Sequence, residues 1–387
     1  MKVLLIVTGL PSIEAPARSV FNLVYAEELK KQGHEIIIIY LRSLNPTRKI
    51  IKTLKASKIK CFEIRTTMPK IGFLKKPIFF PNLFSLTLNN KNICSELKSI
   101  DIIHAIGGGA VEASYIVSRK FNTPMISQFI GSDLNRNFKL HLTQNNFING
   151  VNSSSFLCFN SNALKKTFQS KFSDKKNLKT IYRGVKLNEY EYCFNKDGII
   201  QVLFLGGFFN DGNLKGGHTI LDSIKLLINK KLTNKVKFII GGPNSIRHKD
   251  MFRETVNKNI KVEFIGSINK SLVKEQMKNA HIVLIPSLSE GVPNVLYEGM
   301  ASGNMIIGTN VGGIPEILKE GDEGAGKLIS PNNPEALAQV IYNEIANINN
   351  IEKYAINGRK QVEAIDYSNF VNKYLEVYSK SISLNND

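Results

Sequence analysis

Two glutamates, Glu290 and Glu298, bracket the segment E-G-V-P-N-V-L-Y-E, which follows the strand-like H-I-V-L-I-P and precedes G-M-A-S-G. Gly291 and Pro293 suit a loop, and a helix beginning near Asn294 leaves its first backbone N–H groups unpaired beside them. Such a helix end favours anions, phosphate above all. Glu290 precedes the helix, where it can reach a sugar hydroxyl. Glu298 lies one turn inside, where a carboxylate can accept two hydroxyls of a ribose. Glutamates near a helix start also complement the helix dipole with no ligand present, so the reading needs support from the rest of the chain.

The elements that must position these groups follow an alternating pattern. Short apolar, β-branched runs alternate with amphipathic stretches, the signature of parallel sheets wrapped by helices. Strands are predicted at 2–7, 35–40, 101–105, 124–129, 155–159 and 178–182, with helices near 18–32, 84–99, 109–120 and 161–169. A second series starts at Gln201–Leu205 and continues near 236–241, 262–265, 281–286, 304–308 and 326–329. The fold class is therefore α/β, with two Rossmann-like units in tandem. Gly184 and the polar K-L-N-E-Y-E-Y-C-F-N-K-D-G interrupt the periodicity, which gives domains of 1–187 and 188–365. A helix over about 368–382, with Phe370, Val371, Tyr374, Leu375, Val377 and Tyr378 at helical spacing, makes 366–387 a tail able to pack back on domain one.

At this point the 290–298 segment resembles the Glu, seven residues, Glu motif of the retaining glycosyltransferases of family 4. G-H-E-I at 33–36, R-G-V at 183–185, K-G at 215–216, V-E-F-I-G at 262–266, P-S-L-S-E-G at 286–291 and G-G-I-P-E at 312–316 match further family segments in the same order. The resemblance implies a GT-B fold, with two Rossmann-like domains whose parallel sheets face a cleft and a C-terminal helix that crosses back to domain one. It implies a retaining transferase acting on a nucleotide diphosphate sugar, UDP- or GDP-linked. Glu290 would contact the transferred sugar, Glu298 the ribose and Lys215 the diphosphate. Gly206, Gly207, Gly216, Gly291, Val292, Pro293, Asn294 and Val295 would line the donor, while Arg18, His104, Asp133 and Arg183 would belong to the cleft or acceptor side.

The departures are as specific. E-A-P-A-R at 14–18 replaces a glycine-bearing first loop, although Arg18 keeps a common arginine. I-G-S-D at 130–133 puts Ile130 where the family often has a histidine that touches the sugar, and Ile106 replaces the second histidine of a pair begun by His104. Gly207 stands where many members carry an arginine, so one phosphate cation is missing, and Arg183, where the family has Asn, is the candidate substitute. The glycine-rich 208–217 stretch suits closure over a donor. G-G-G at 107–109 reads as a tight turn, and His34, His141, His248 and His281 read as surface or core residues.

Composition narrows the partners. Cys61, Cys94, Cys158 and Cys193 form no C-x-x-C pair and do not cluster with the histidines, and no Asp-x-Asp cluster ends a strand. A reduced, cytoplasmic, metal-independent enzyme without a cofactor is expected. The opening M-K-V-L-L-I-V reads as a first strand rather than a leader, and the longest apolar run, Ile36 to Leu41, is far below the roughly 18 residues of a span. Residues 1–187 hold 29 Lys and Arg against 10 Asp and Glu, whereas 188–387 hold 22 against 22. The whole excess of +19 therefore lies in the first half. Two segments, 42–60 with seven cations and 70–81 with Lys70, Lys75 and Lys76 beside Phe73, Phe79 and Phe80, suit an anionic membrane face on the inner side. The function read from all this is transfer of a hexose or N-acetylhexosamine to a surface-polysaccharide or lipid-linked glycan acceptor, with no nucleic-acid partner. A non-catalytic GT-B subunit and a sugar-nucleotide epimerase are the alternatives.

Overall fold

The computed structural model describes the chain apart from residues 12–18, 44–57, 68–79, 136–137, 139–141, 143, 196–197, 208–213, 229, 231, 233–235, 244, 253–259 and 387. Two compact units emerge. Unit 1 comprises Met1–Ile181 with Val371–Asp387, and unit 2 comprises Tyr182–Phe370.

Unit 1 is built on seven parallel strands in the order β3-β2-β1-β4-β5-β6-β7, where β1 is Lys2–Val7, β2 Glu35–Ser43, β3 Lys60–Thr67, β4 Ile102–Ile106, β5 Met125–Phe129, β6 Ser154–Phe159 and β7 Leu178–Thr180. Val3 to Val7 are all 0 % exposed, as expected for a central strand covered on both faces. Unit 2 repeats the pattern with six parallel strands in the order β10-β9-β8-β11-β12-β13, namely β8 Ile200–Leu205, β9 Val236–Gly241, β10 Ile260–Gly266, β11 Ile282–Ile285, β12 Met305–Thr309 and β13 Gly326–Ile329. In each sheet the strand order reverses beside the first strand, between β1 and β4 and again between β8 and β11. Doubly wound sheets take their ligands just beyond the carboxyl ends of the strands at such reversals.

Both sheets agree with the sequence reading of two Rossmann-like units, with three differences of detail. The edge strand β3 was not predicted; in K-C-F-E-I-R-T-T the charged Lys60, Glu63 and Arg65 are exposed, and Ile64 alone among the described side chains is deeply buried. The helix expected over 84–99 is two helices, Pro81–Thr87 and Lys91–Leu97, because Asn90 stops one and caps the other by accepting from Asn92 N at 3.0 Å. A further helix, Asn145–Ser153, packs closely on Gly108–Phe121, where Gly150 leaves room for Val111.

Only the two ends of the basic 42–60 segment lie among the described residues. Its first residue, Arg42, belongs to β2 and binds Glu63 Oε2 at 2.6 Å, while its last, Lys60, belongs to β3 and binds Glu96. Arg48, Lys49, Lys52 and Lys55, together with Lys70, Phe73, Lys75, Lys76 and Phe79, lie outside the described residues, as do Arg18 and His141. No helix among the described residues is long and apolar enough to cross a membrane.

The last helix, Tyr367–Asn386, contributes Tyr374 and Tyr378, both fully buried, to unit 1. In unit 2, the stretch around Val185 pairs in parallel with Asp366, and Tyr367 N donates to Val185 O at 3.1 Å. Gly184 permits this closeness: at φ +65, a Cβ there would lie 1.7 Å from Ile365 O. His281 ties the start of β11 to β8, its Nδ1 accepting from Gln201 N at 3.0 Å and its Nε2 donating to Asn195 O at 2.8 Å.

Candidate active site

The site in unit 2 is assembled from the turns that follow β8, β11 and β12. After β8, Gly206 N donates to Gly241 O at 3.0 Å, and Gly242 approaches so closely that a Cβ would stand 1.8 Å from Gly206 O. Lys215 and Gly216 then lead into the helix Gly217–Ile228. Gly216, at φ +73, would place a Cβ 1.8 Å from Pro286 O, and Leu288 N donates to Leu214 O at 2.8 Å. The K-G turn is thus pressed against the loop after β11, and only glycine fits there.

That loop carries Glu290, which is mostly buried. Its Oε1 touches Lys215 Nζ and accepts from Ser287 Oγ at 2.9 Å. Lys215 keeps nearly half of its side chain exposed, so a cation faces outward while its carboxylate partner sits beneath. The turn after β12 closes the arrangement from the other side: Gly313 N donates to Gly291 O at 2.6 Å, and a Cβ on Gly312, at φ +55, would meet Glu290 O at 2.1 Å. These contacts explain why G-G-I-P-E must follow.

The helix itself runs Asn294–Ser302, with Pro293 at its N-cap, no side-chain cap and no acid in its first turn. Leu296 N donates to Pro293 O at 3.1 Å, and the helix start carries the positive end of the dipole. Val292 and Pro293 are buried, Val295 is half-buried and Asn294 is exposed. Asn294 Oδ1 accepts from Arg183 Nη1 at 2.8 Å. Glu298 is half-buried one turn in. Burial raises its carboxyl, while the Tyr190 hydroxyl bonded to it and nearby Lys270 pull the other way. Glu189 holds Lys270 and Lys274 at 2.6 and 2.9 Å beside it. Lys215, Glu290, Asn294, Arg183 and Glu298 are thus gathered about one helix in unit 2. A lysine, two carboxylates and free amides beside a sheet reversal can bind a diphosphate, order a sugar and stabilise charge appearing on a leaving phosphate.

Residues of unit 1 behave differently. His104 is 0 % exposed, its Nδ1 lies 2.7 Å from the Tyr378 hydroxyl, and its ring stacks on Tyr374 at 4.8 Å. Burial drives its pKa down to about 3. It is a neutral core histidine that holds the last helix, and it does not face a ligand. Asp133 is also buried, and its carboxylate accepts from Gly108, Ile130, Gly131 and Leu134 N at 2.7–3.2 Å. Those amides make it a clamp between the turns after β4 and β5. Tyr190 and the Tyr182–Glu316 hydrogen bond of 2.6 Å were not singled out in the sequence; Tyr190 lay inside the polar junction stretch, while Ser287 and Glu316 entered only as members of P-S-L-S-E-G and G-G-I-P-E. No group of three or more His, Cys, Asp or Glu among the described residues could hold a metal ion.

Residues 200–347 match the family model described as Glycosyl transferases group 1. An uncharacterised glycosyltransferase, MJ1178, of Methanocaldococcus jannaschii is 29 % identical over 317 residues, 75 % of this chain and 78 % of the relative. The putative teichuronic acid biosynthesis glycosyltransferase TuaC of Bacillus subtilis is 23 % identical, covering 88 % of each chain. Among solved structures, Anabaena HepE in complex with UDP aligns with a TM-score of 0.74 at 16 % identity, over 98 % of this chain and 100 % of that one.

Proposed function

We propose that this chain, a GT-B glycosyltransferase of the family 4 type, is a retaining enzyme that moves a hexose or N-acetylhexosamine from a UDP- or GDP-linked donor to a polysaccharide or lipid-linked glycan acceptor. The observation that carries the reading is the convergence of Lys215, Glu290, Glu298 and the Asn294–Ser302 helix start at the reversal of the second sheet.

Unit 2, Tyr182–Phe370, holds the donor and unit 1 supplies the acceptor side. Glu298 accepts the ribose hydroxyls. Lys215 and the helix amides take the negative charge that develops on the diphosphate as the bond from the anomeric carbon to its oxygen breaks. The acceptor oxygen attacks on the same face and passes its proton to the departing phosphate, so no protein nucleophile is required. Glu290 orders the sugar during this step. Because Lys215 and the amides balance the diphosphate, activity survives EDTA. The name of the Bacillus relative, teichuronic acid biosynthesis, supports a polysaccharide acceptor, and the positive first half supports contact with an anionic inner membrane face.

The test is incubation of the purified protein with UDP- and GDP-hexoses and N-acetylhexosamines, with and without EDTA, following nucleotide release and, in the product, the anomeric proton coupling. Nucleoside diphosphate release with a retained anomer supports the reading. Interconversion of donor sugars without release identifies an epimerase instead. Binding without turnover on any acceptor identifies a non-catalytic subunit.

A further inference from the structure

Resting on the assignment of Glu298 to the ribose, we infer that Tyr190 is a positioning residue for that carboxylate. Its hydroxyl fixes the orientation in which Glu298 meets the ribose, so the preference for a ribonucleotide over its 2′,3′-dideoxy counterpart depends on Tyr190. This tyrosine ends the short helical turn Leu187–Glu189, in the junction that follows Gly184. Its ring is buried in one core with Leu296, Met300 and Ala301 of the Asn294–Ser302 helix. From there the hydroxyl donates to Glu298 on the same helix.

The two partners are tied together through their backbones. Arg359 Nη1 donates to Tyr190 O at 3.1 Å and to Ala301 O at 2.5 Å, so one guanidinium joins the junction to the helix one turn beyond Glu298. Behind the ring, Lys274 Nζ stands 5.6 Å from its centroid, and Glu189 holds both Lys274 and Lys270. A packed phenol ring has few rotamers open to it, and its hydroxyl is delivered to a defined point. Accepting two hydroxyls requires a carboxylate that is both aimed and ionised. Burial pushes Glu298 up, with Glu189 adding to it, while the Tyr190 hydroxyl, Lys270 and Lys274 draw it down. Tyr190 itself is raised by burial and by the charge of Glu298, so it keeps its proton and stays the donor. One hydrogen bond thus sets the direction of the carboxylate and favours its charged form.

The experiment is calorimetric titration of wild type, Tyr190→Phe, Glu298→Ala and the double variant with UDP, GDP and their 2′,3′-dideoxy counterparts, from about pH 5 to 8. The quantity read is the ratio of ribonucleotide to dideoxynucleotide affinity, in which titration of the phosphates cancels. For the base that wild type binds, Tyr190→Phe should lower this ratio about fivefold near pH 7, the scale of one hydrogen bond, and leave dideoxynucleotide affinity within about twofold. The ratio should also fall in acid as Glu298 takes up its proton, and the midpoint of that fall should move up by roughly half to one pH unit in the variant. In the Glu298→Ala background, Tyr190→Phe should change the ratio no further. A variant with the ratio and midpoint of wild type overturns the role of Tyr190, as does equal weakening of both ligands. A Tyr190→Phe protein that does not fold overturns it too, because the hydroxyl is then a core group and not a positioning one. Wild type that binds both sugars equally overturns the ribose assignment of Glu298, and wild type that binds neither UDP nor GDP overturns the donor site itself.

Discussion

Lys215 Nζ and Glu290 Oε1 are in direct contact, so the lysine proposed for the diphosphate and the carboxylate proposed for the sugar form an ion pair. The pair is reached from opposite sides of the sheet reversal, through the turns after β8 and β11. On the proposed reading, phosphate would take over this contact with Lys215 and leave Glu290 to the sugar. The two groups are therefore coupled, and their substitutions will not add.

Glu290→Gln should lower turnover by about 100-fold or more while changing donor affinity little, because its charge acts mainly in the transition state. Freeing Lys215 from its partner works in favour of phosphate, so affinity should hold or rise. Steady-state rates with donor titrations check both. Turnover equal to wild type removes Glu290 from the mechanism.

Glu298→Ala should weaken nucleotide binding about tenfold or more by removing the ribose acceptor. Calorimetry with UDP and GDP reads it. Binding as tight as wild type ends the ribose assignment.

How much of this could be read from sequence depends on the range of each interaction. Strands such as Val3–Val7 and Ile282–Ile285 declare themselves because a parallel strand buried on both faces is an unbroken apolar run. The edge strand β3 lacks that signature, as the exposed Glu63 and Arg65 stand on either side of the buried Ile64. The donor segment was legible because the turns that hold Glu290 and Lys215 need glycines at fixed places, Gly216 and Gly312, and these stand in the sequence. His104 was misplaced on the acceptor side for the opposite reason. Its partner Tyr378 lies 274 positions away, and no local pattern reports a core formed by the chain's two ends. The partners of Asp133 are likewise backbone amides that only the folded turns supply.

Tyr378→Phe tests the core that replaced the His104 assignment. It removes the hydroxyl that lies 2.7 Å from His104 Nδ1 and 2.8 Å from the Tyr25 hydroxyl. Leaving two buried polar groups without it should cost about 1–3 kcal/mol. Urea unfolding measures this, and stability equal to wild type would show that the network contributes nothing.

Stability against pH should reveal two buried groups of unit 1 working in opposition. The folded pKa of His104, about 3, lies below its ordinary 6.5. Between those values the unfolded chain holds the extra proton, so this group makes stability fall as pH falls from 6.5 toward 3. Glu112, 6 % exposed on the helix Gly108–Phe121, is raised by burial from 4.5 to about 7. Here the folded state holds the extra proton, and stability falls as pH rises from 4.5 to 7. Each slope is about 1.4 kcal/mol per pH unit at most, so the two largely cancel between 4.5 and 6.5. Glu112→Gln removes one of them. The variant should match wild type near pH 4 apart from a constant offset and gain on it steadily above 4.5. By pH 7.5 the gain should reach on the order of 2–3 kcal/mol. Urea midpoints of both proteins from pH 4 to 7.5 decide the matter, and a difference that stays constant across that range means that Glu112 is ionised in the folded protein as in the unfolded chain.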